Sequence, residues 1–178
     1  MWAEENPHWF IENDRQHRWK VNLWVGIVGD RIVGPIFYDR NLTARRYRNL
    51  LRSIRRRLNN NPVALNRMWW QMDGAPAHNA AMIADHLDEL FPERWIGLNS
   101  PHVRFPPRSP DLTIMDYYLF GNLKRICYAE PTTTADNMKQ RIRDACAAIR
   151  PGELRRARLQ LRQRFRMCIE RGGGHFQQ

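Results

Sequence analysis

Two segments of this chain put carboxylates where they could act together. The first is Gln71-Met72-Asp73-Gly74-Ala75-Pro76-Ala77-His78. Its aspartate closes a short apolar run, Arg67 to Met72, which reads as a strand buried on both faces. The Gly and Pro that follow stop the strand and send the carboxylate over the rim of the sheet, where ligand and metal sites of α/β proteins gather. The second is Pro106-Pro107-Arg108-Ser109-Pro110-Asp111-Leu112-Thr113-Ile114-Met115-Asp116, a rigid arm entering a helix. Asp111 fits a cap or first-turn role, and Asp116, about a turn and a half on, can point inward. Two carboxylates from different elements can hold a hard divalent ion such as Mg²⁺, which keeps several of its waters. A pair of such ions ~3.5–4 Å apart can activate a water or a 3′-hydroxyl and stabilise the leaving oxygen of a phosphodiester. A strand-end aspartate is also an ordinary turn or cap residue, and the spacing alone leaves that open.

The elements that must position these acids can be read from periodicity. Trp19 to Val28 alternates as a strand, Gly29-Asp30 is a two-residue hairpin signal, and Arg31 to Phe37 returns with Pro35 marking an edge. Asn41 and Thr43 can cap a helix whose Tyr47, Leu50, Leu51, Ile54 and Leu58 follow the 3.6-residue period, stopped by the loop Asn59 to Pro62. A second helix carries Ala80, Ile83, Leu87 and Leu90, and Trp95-Ile96-Gly97 is a short strand. Pro101 to Pro110 is a non-helical connection, after which Leu112, Met115, Leu119 and Leu123 share a helical face. Two last helices carry Met138, Ile142, Ala145 and Ile149, then Leu154, Ala157, Leu161, Phe165, Cys168 and Ile169. Strands, then strand–helix units, then helices imply one α/β domain over 1–178: a hairpin at 19–37, a core at 44–124 and a helical cover at 133–170.

The chain has 178 residues, 43% of them apolar, enough for a buried core without disulfides. No apolar run approaches the roughly 18 residues of a membrane span. The start, Met-Trp-Ala-Glu-Glu, has no secretory pattern, and Cys127, Cys146 and Cys168 are expected to be reduced. The net charge is +11, and only Lys20, Lys124 and Lys139 among the 29 basic residues are not arginine. Between Asp39 and Asp73 there are nine arginines and no acid. Seven of them, Arg45, Arg46, Arg48, Arg52, Arg55, Arg56 and Arg57, lie on the first helix. The last helix carries Arg155, Arg156, Arg158, Arg162, Arg164 and Arg166. Guanidinium forks match phosphate oxygens in pairs, so these faces and Arg108 are candidate nucleic-acid contacts. A solvated helix face, and arginine favoured by codon usage, are the plainer alternatives.

The runs Asp73 to His78, Pro106 to Leu112 and Asp116-Tyr117-Tyr118-Leu119-Phe120-Gly121 together resemble the catalytic domain of mariner-type DDE/D transposases, in forms common in insect genomes. The likeness extends to Trp2 to His8, Val21 to Ile27, Gly34-Pro35, Arg94 to Gly97, Cys168 to Glu170 and Gly173 to Phe176. It implies a ribonuclease-H-like mixed sheet with helices and Mg²⁺- or Mn²⁺-dependent cleavage and joining of DNA strands at a two-metal site. Asp73 matches the second metal-binding acid and Asp116 the third, with 42 residues between them. Asp111 and His78 match supporting positions, the histidine holding its loop by hydrogen bonds. Ile114 stands where the family usually has proline. The family's first acid lies on a central strand upstream of the segment matching Trp2, where this chain starts. Asp14, Asp30 and Asp39 do not fit that role. The expectation is therefore a sheet without its first strand and a transposase-derived domain that binds DNA but does not cut it. The alternatives are a fragment of an active transposase and a domesticated DNA-binding module. DNA is the expected partner, a homodimer fits the resemblance, and the nucleus is the expected location.

Overall fold

In the computed structural model, residues 20–59, 65–131 and 134–173 are described. The alternating segment around Trp24 forms β1 (Asn22–Val28), antiparallel to β2 (Arg31–Tyr38). Gly29 takes a left-handed turn conformation at φ +64°. The register slips between Trp24 and Gly26. There the Trp24 indole folds back over Gly26, where a Cβ would lie 2.7 Å from the ring, so any larger residue would push the indole aside. The expectations at Trp2 to His8, Asp14, Trp19, 60–62 and 174–176 fall outside the described residues.

Both faces of the hairpin are apolar because both are covered. Leu23, Val25 and Ile27 pack with Leu123 of α3 (Gly121–Cys127) and Met138 and Ile142 of α4 (Ala135–Ala148). Trp24 and Val28 face the other way, toward α1 (Ala44–Leu58) and α2 (Ala81–Leu90). Thr43 caps α1, its hydroxyl accepting from the Arg46 N–H, and Tyr47, Leu51, Ile54 and Leu58 are buried at the expected period. Cys127 and Cys146 are buried free thiols, and burial pushes Cys146 up to about 11.

A second, parallel sheet orders β3 (Trp70–Gln71), β4 (Trp95–Gly97) and β5 (Val103–Arg104). The strand expected over Arg67–Met72 is thus cut to two residues, behind a 3₁₀ turn at Leu65–Arg67. Nor is it buried on both faces: Met68 and Met72 are buried, but Trp69 is 54% exposed and Gln71 is exposed. Alternate residues enter the α1–α2 core, while Trp69 and Gln71 lie on the other face. β5 arises inside the proline-rich arm, where the sequence signalled only a connection. Two paired residues are too few for a periodic pattern.

Among the described residues β1 and β3 do not pair. A cavity of about 790 Å³ lies between them, lined by successive residues of both. Across it the Trp24 and Trp70 rings are stacked at 6.1 Å. The helical face expected from Asp111 to Leu123 is three elements: a 3₁₀ turn (Pro110–Leu112), a π-helix (Met115–Phe120) and α3. The apolar stripe of α5 (Pro151–Glu170) is buried only at Leu154 and Ala157, and Ile169 at its far end is 78% exposed.

Candidate metal centre and nucleic-acid cleft

Asp73 leaves the end of β3 into a loop that the chain fastens tightly. Its Oδ1 accepts the Ala75 N–H at 3.1 Å and lies 2.7 Å from His78 Nδ1. The Asn79 amide donates to the Gly74 and Ala75 carbonyls and closes the loop. The His78 ring packs on Tyr47 of α1, centroids 4.2 Å apart. The imidazole is therefore held between the buried face of an arginine helix and a carboxylate. His78 holds Asp73 below the usual carboxylate range, chiefly through this hydrogen bond.

Asp116 sits in the first turn of the π-helix, whose opening is braced by the Thr113 hydroxyl accepting from the Met115 N–H. The Gln71 amide donates to the Leu112 carbonyl at 3.0 Å and ties β3 to the arm that carries Asp116. Burial first, and the charge of Asp73 second, push the Asp116 carboxyl up. The two expected acids do converge: both line the large cavity, and both line a second one of about 230 Å³ that also holds Arg108. Arg108 adopts φ +56°, uncommon for a side-chain-bearing residue. Asp111 lies in the first turn of the 3₁₀ segment, the second of the two roles expected for it, and lines neither cavity.

The donor set is two carboxylates whose mutual repulsion a cation would relieve. Oxygen-only ligation suits one hard divalent ion that keeps most of its waters. Among the described residues no cluster of three or more His, Cys, Asp or Glu forms. In the sequence Gln71 and Tyr47 stand out only as part of a strand run and a helix period, and Asn79 not at all. Only Gln71 carries a signal there, as a polar residue inside an apolar run.

The ionised form of Asp73 is favoured in the folded state. That stabilisation is complete above its ordinary value of 3.8 and is lost as pH falls through the lower folded value. Asp116 has the opposite sign, its contribution fading as pH rises through its raised folded value. His78→Ala should move the Asp73 titration upward, toward 3.8, in a carboxyl-detected NMR titration. An unchanged Asp73 titration would mean that the imidazole does not hold the acid.

On α1, Arg45, Arg52 and Arg56 are exposed opposite the buried residues; Arg46 and Arg57 are exposed on one flank, and Arg48 and Arg55 are half-buried on the other. Some of these guanidiniums have local partners, Arg46 on the Asn41 carbonyl and Arg55 on the Asn59 side chain.

No protein-family model matches the chain, and no curated protein does. Solved structures do. The catalytic domain of Mos1 transposase, solved with raltegravir and Mn, superposes with a TM-score of 0.73 at 22% identity, over 88% of this chain and 78% of that one. The chain folds like the Mos1 catalytic domain. A Mos1 mariner paired-end complex with Mn gives 0.74 at 23% identity, over 92% of this chain and 47% of Mos1. A pre-cleavage Mos1 transpososome gives 0.73 at 20%, over 99% and 52%. Against these longer Mos1 chains the protein spans about half the length. The expected ribonuclease-H-like α/β fold is thereby established.

Proposed function

We propose that this chain is a transposase-derived domain that binds DNA, and that its site is built for divalent-metal-dependent cleavage and joining of phosphodiesters. The observation that carries the reading is the convergence of Asp73 and Asp116 on one cleft, whose wall includes Tyr47, Ile54 and Leu58 of the arginine-rich helix α1. The Mos1 structures, solved with Mn or Mg and as paired-end complexes, support the same chemistry and a DNA partner. They also support a paired assembly, and the nucleus is the location such a role needs.

Each residue has a part. Asp73 and Asp116 would hold the ion. His78 keeps Asp73 ionised and aimed, and Gln71 keeps the two acid-bearing segments in register. The exposed arginines of α1 attract the phosphate backbone. A bound divalent ion would activate a water or hydroxyl and stabilise the charge on the leaving oxygen. Two acids hold such an ion more weakly than a larger set, so this chain by itself should cleave little.

The test is a supercoiled-plasmid nicking assay in Mg²⁺ and in Mn²⁺, with Asp73→Ala and Asp116→Ala beside the unaltered chain. We expect duplex binding with no nicking above the two variants. Strong nicking lost in either variant would overturn the inactive reading in favour of a competent enzyme. Failure to bind duplex DNA would overturn the function altogether.

A further inference from the structure

The two cavities meet at the acids. Asp73, Thr113 and Asp116 line both, so a continuous cleft runs over the carboxylate pair. Among the described residues, each side of that cleft holds one arginine: Arg108 in the smaller cavity and Arg158, from α5, in the larger.

Three other arginines of α5 are engaged elsewhere. Arg155 is paired with Asp30 of the β1–β2 turn. Arg156 lies close enough to Glu153 and Tyr118 to bear on their titration. Arg164 stacks over the Tyr117 ring at 4.6 Å. Tyr117 in turn donates its hydroxyl to the Ala157 carbonyl, which clamps α5 against the π-helix that carries Asp116. Arg158 follows the clamped residue directly, is exposed, and is the α5 arginine that lines the cleft.

We propose that Arg158 is a phosphate-binding residue that holds a DNA strand on one side of the acid pair while Arg108 holds it on the other. The inference rests on the DNA-binding reading above and deepens it. A polyanion passing over two carboxylates needs cations on both sides of them, and a guanidinium fork can grip a phosphate through two oxygens. Two such grips would fix which phosphodiester lies over Asp73 and Asp116. The α1 arginines do not supply this, since none of them lines either cavity.

The test measures the affinity of the whole chain for a 20-base-pair duplex oligonucleotide across a salt series. Arg158→Gln should flatten the log–log salt slope by about 0.9, one phosphate, and weaken binding about five-fold near 0.15 M salt. Arg158→Lys should keep the slope. Arg31→Gln removes the same charge from the exposed start of β2, at a residue that lines neither cavity, and should change affinity less than about two-fold. If Arg158→Gln matches Arg31→Gln in slope and affinity, the assignment is wrong while the DNA-binding reading stands. If the unaltered chain does not bind the duplex, both fall.

Discussion

Trp95→Ala is expected to destabilise the chain by about 3–5 kcal/mol, a large part of a domain's whole stability. Trp95 is 1% exposed and belongs to β4, the centre of the parallel sheet. It is paired in register with Trp70. Its indole N–H donates to Asp88 at 2.6 Å, and its carbonyl accepts from the buried Ser100 hydroxyl. Truncation leaves a large void in the α1–α2 core and removes one donor from Asp88, which keeps His102. Trp95→Phe fills most of the void and should recover more than half of the loss. Urea unfolding followed by far-ultraviolet circular dichroism measures both. A loss below about 1 kcal/mol for alanine would mean that β4 is not central to the fold.

The second large effect concerns the α1 surface. Arg45→Gln, Arg52→Gln and Arg56→Gln combined should weaken duplex binding about 100-fold near 0.15 M salt and flatten the salt slope by about 2.7. All three are exposed on the side of α1 away from the core, so the helix should fold without them. Retained affinity with an unchanged slope would show that this face is only a solvated surface, and DNA would have to bind elsewhere.

How much of this was legible in the sequence depended on length and period. α1 was clear because Tyr47, Leu51, Ile54 and Leu58 repeat over about three turns and Thr43 starts them. The hairpin was clear because Gly29-Asp30 separates two alternating runs. β3 and β5 were misjudged because two paired residues carry no period, and because the exposure of Trp69 depends on which helices cover the sheet. The acids Asp73 and Asp116 were visible as residue types beside turn formers, but their meeting depends on pairing at long range. Gln71, which ties the two segments together, makes its bond through an amide to a backbone carbonyl 41 positions away, and no local pattern encodes that. The division of labour within α5 was equally hidden. Six arginines look alike in the sequence until Asp30, Tyr117 and the cleft claim different ones.

The π-helix has a consequence for how this protein can change over generations. Its wider turn, closing i to i+5 where an α-helix closes i to i+4, accommodates one residue more than the surrounding helical path requires. Removing a single residue between Tyr117 and Phe120 would draw the segment back to ordinary winding while α3 kept its place. Asp116, on the N-terminal side of the deletion and tied to the Thr113 carbonyl through its N–H, would keep its place in the cleft. Single-residue deletions at this spot should therefore be tolerated by the fold and by the site alike, so this turn can shorten over generations without displacing the acid.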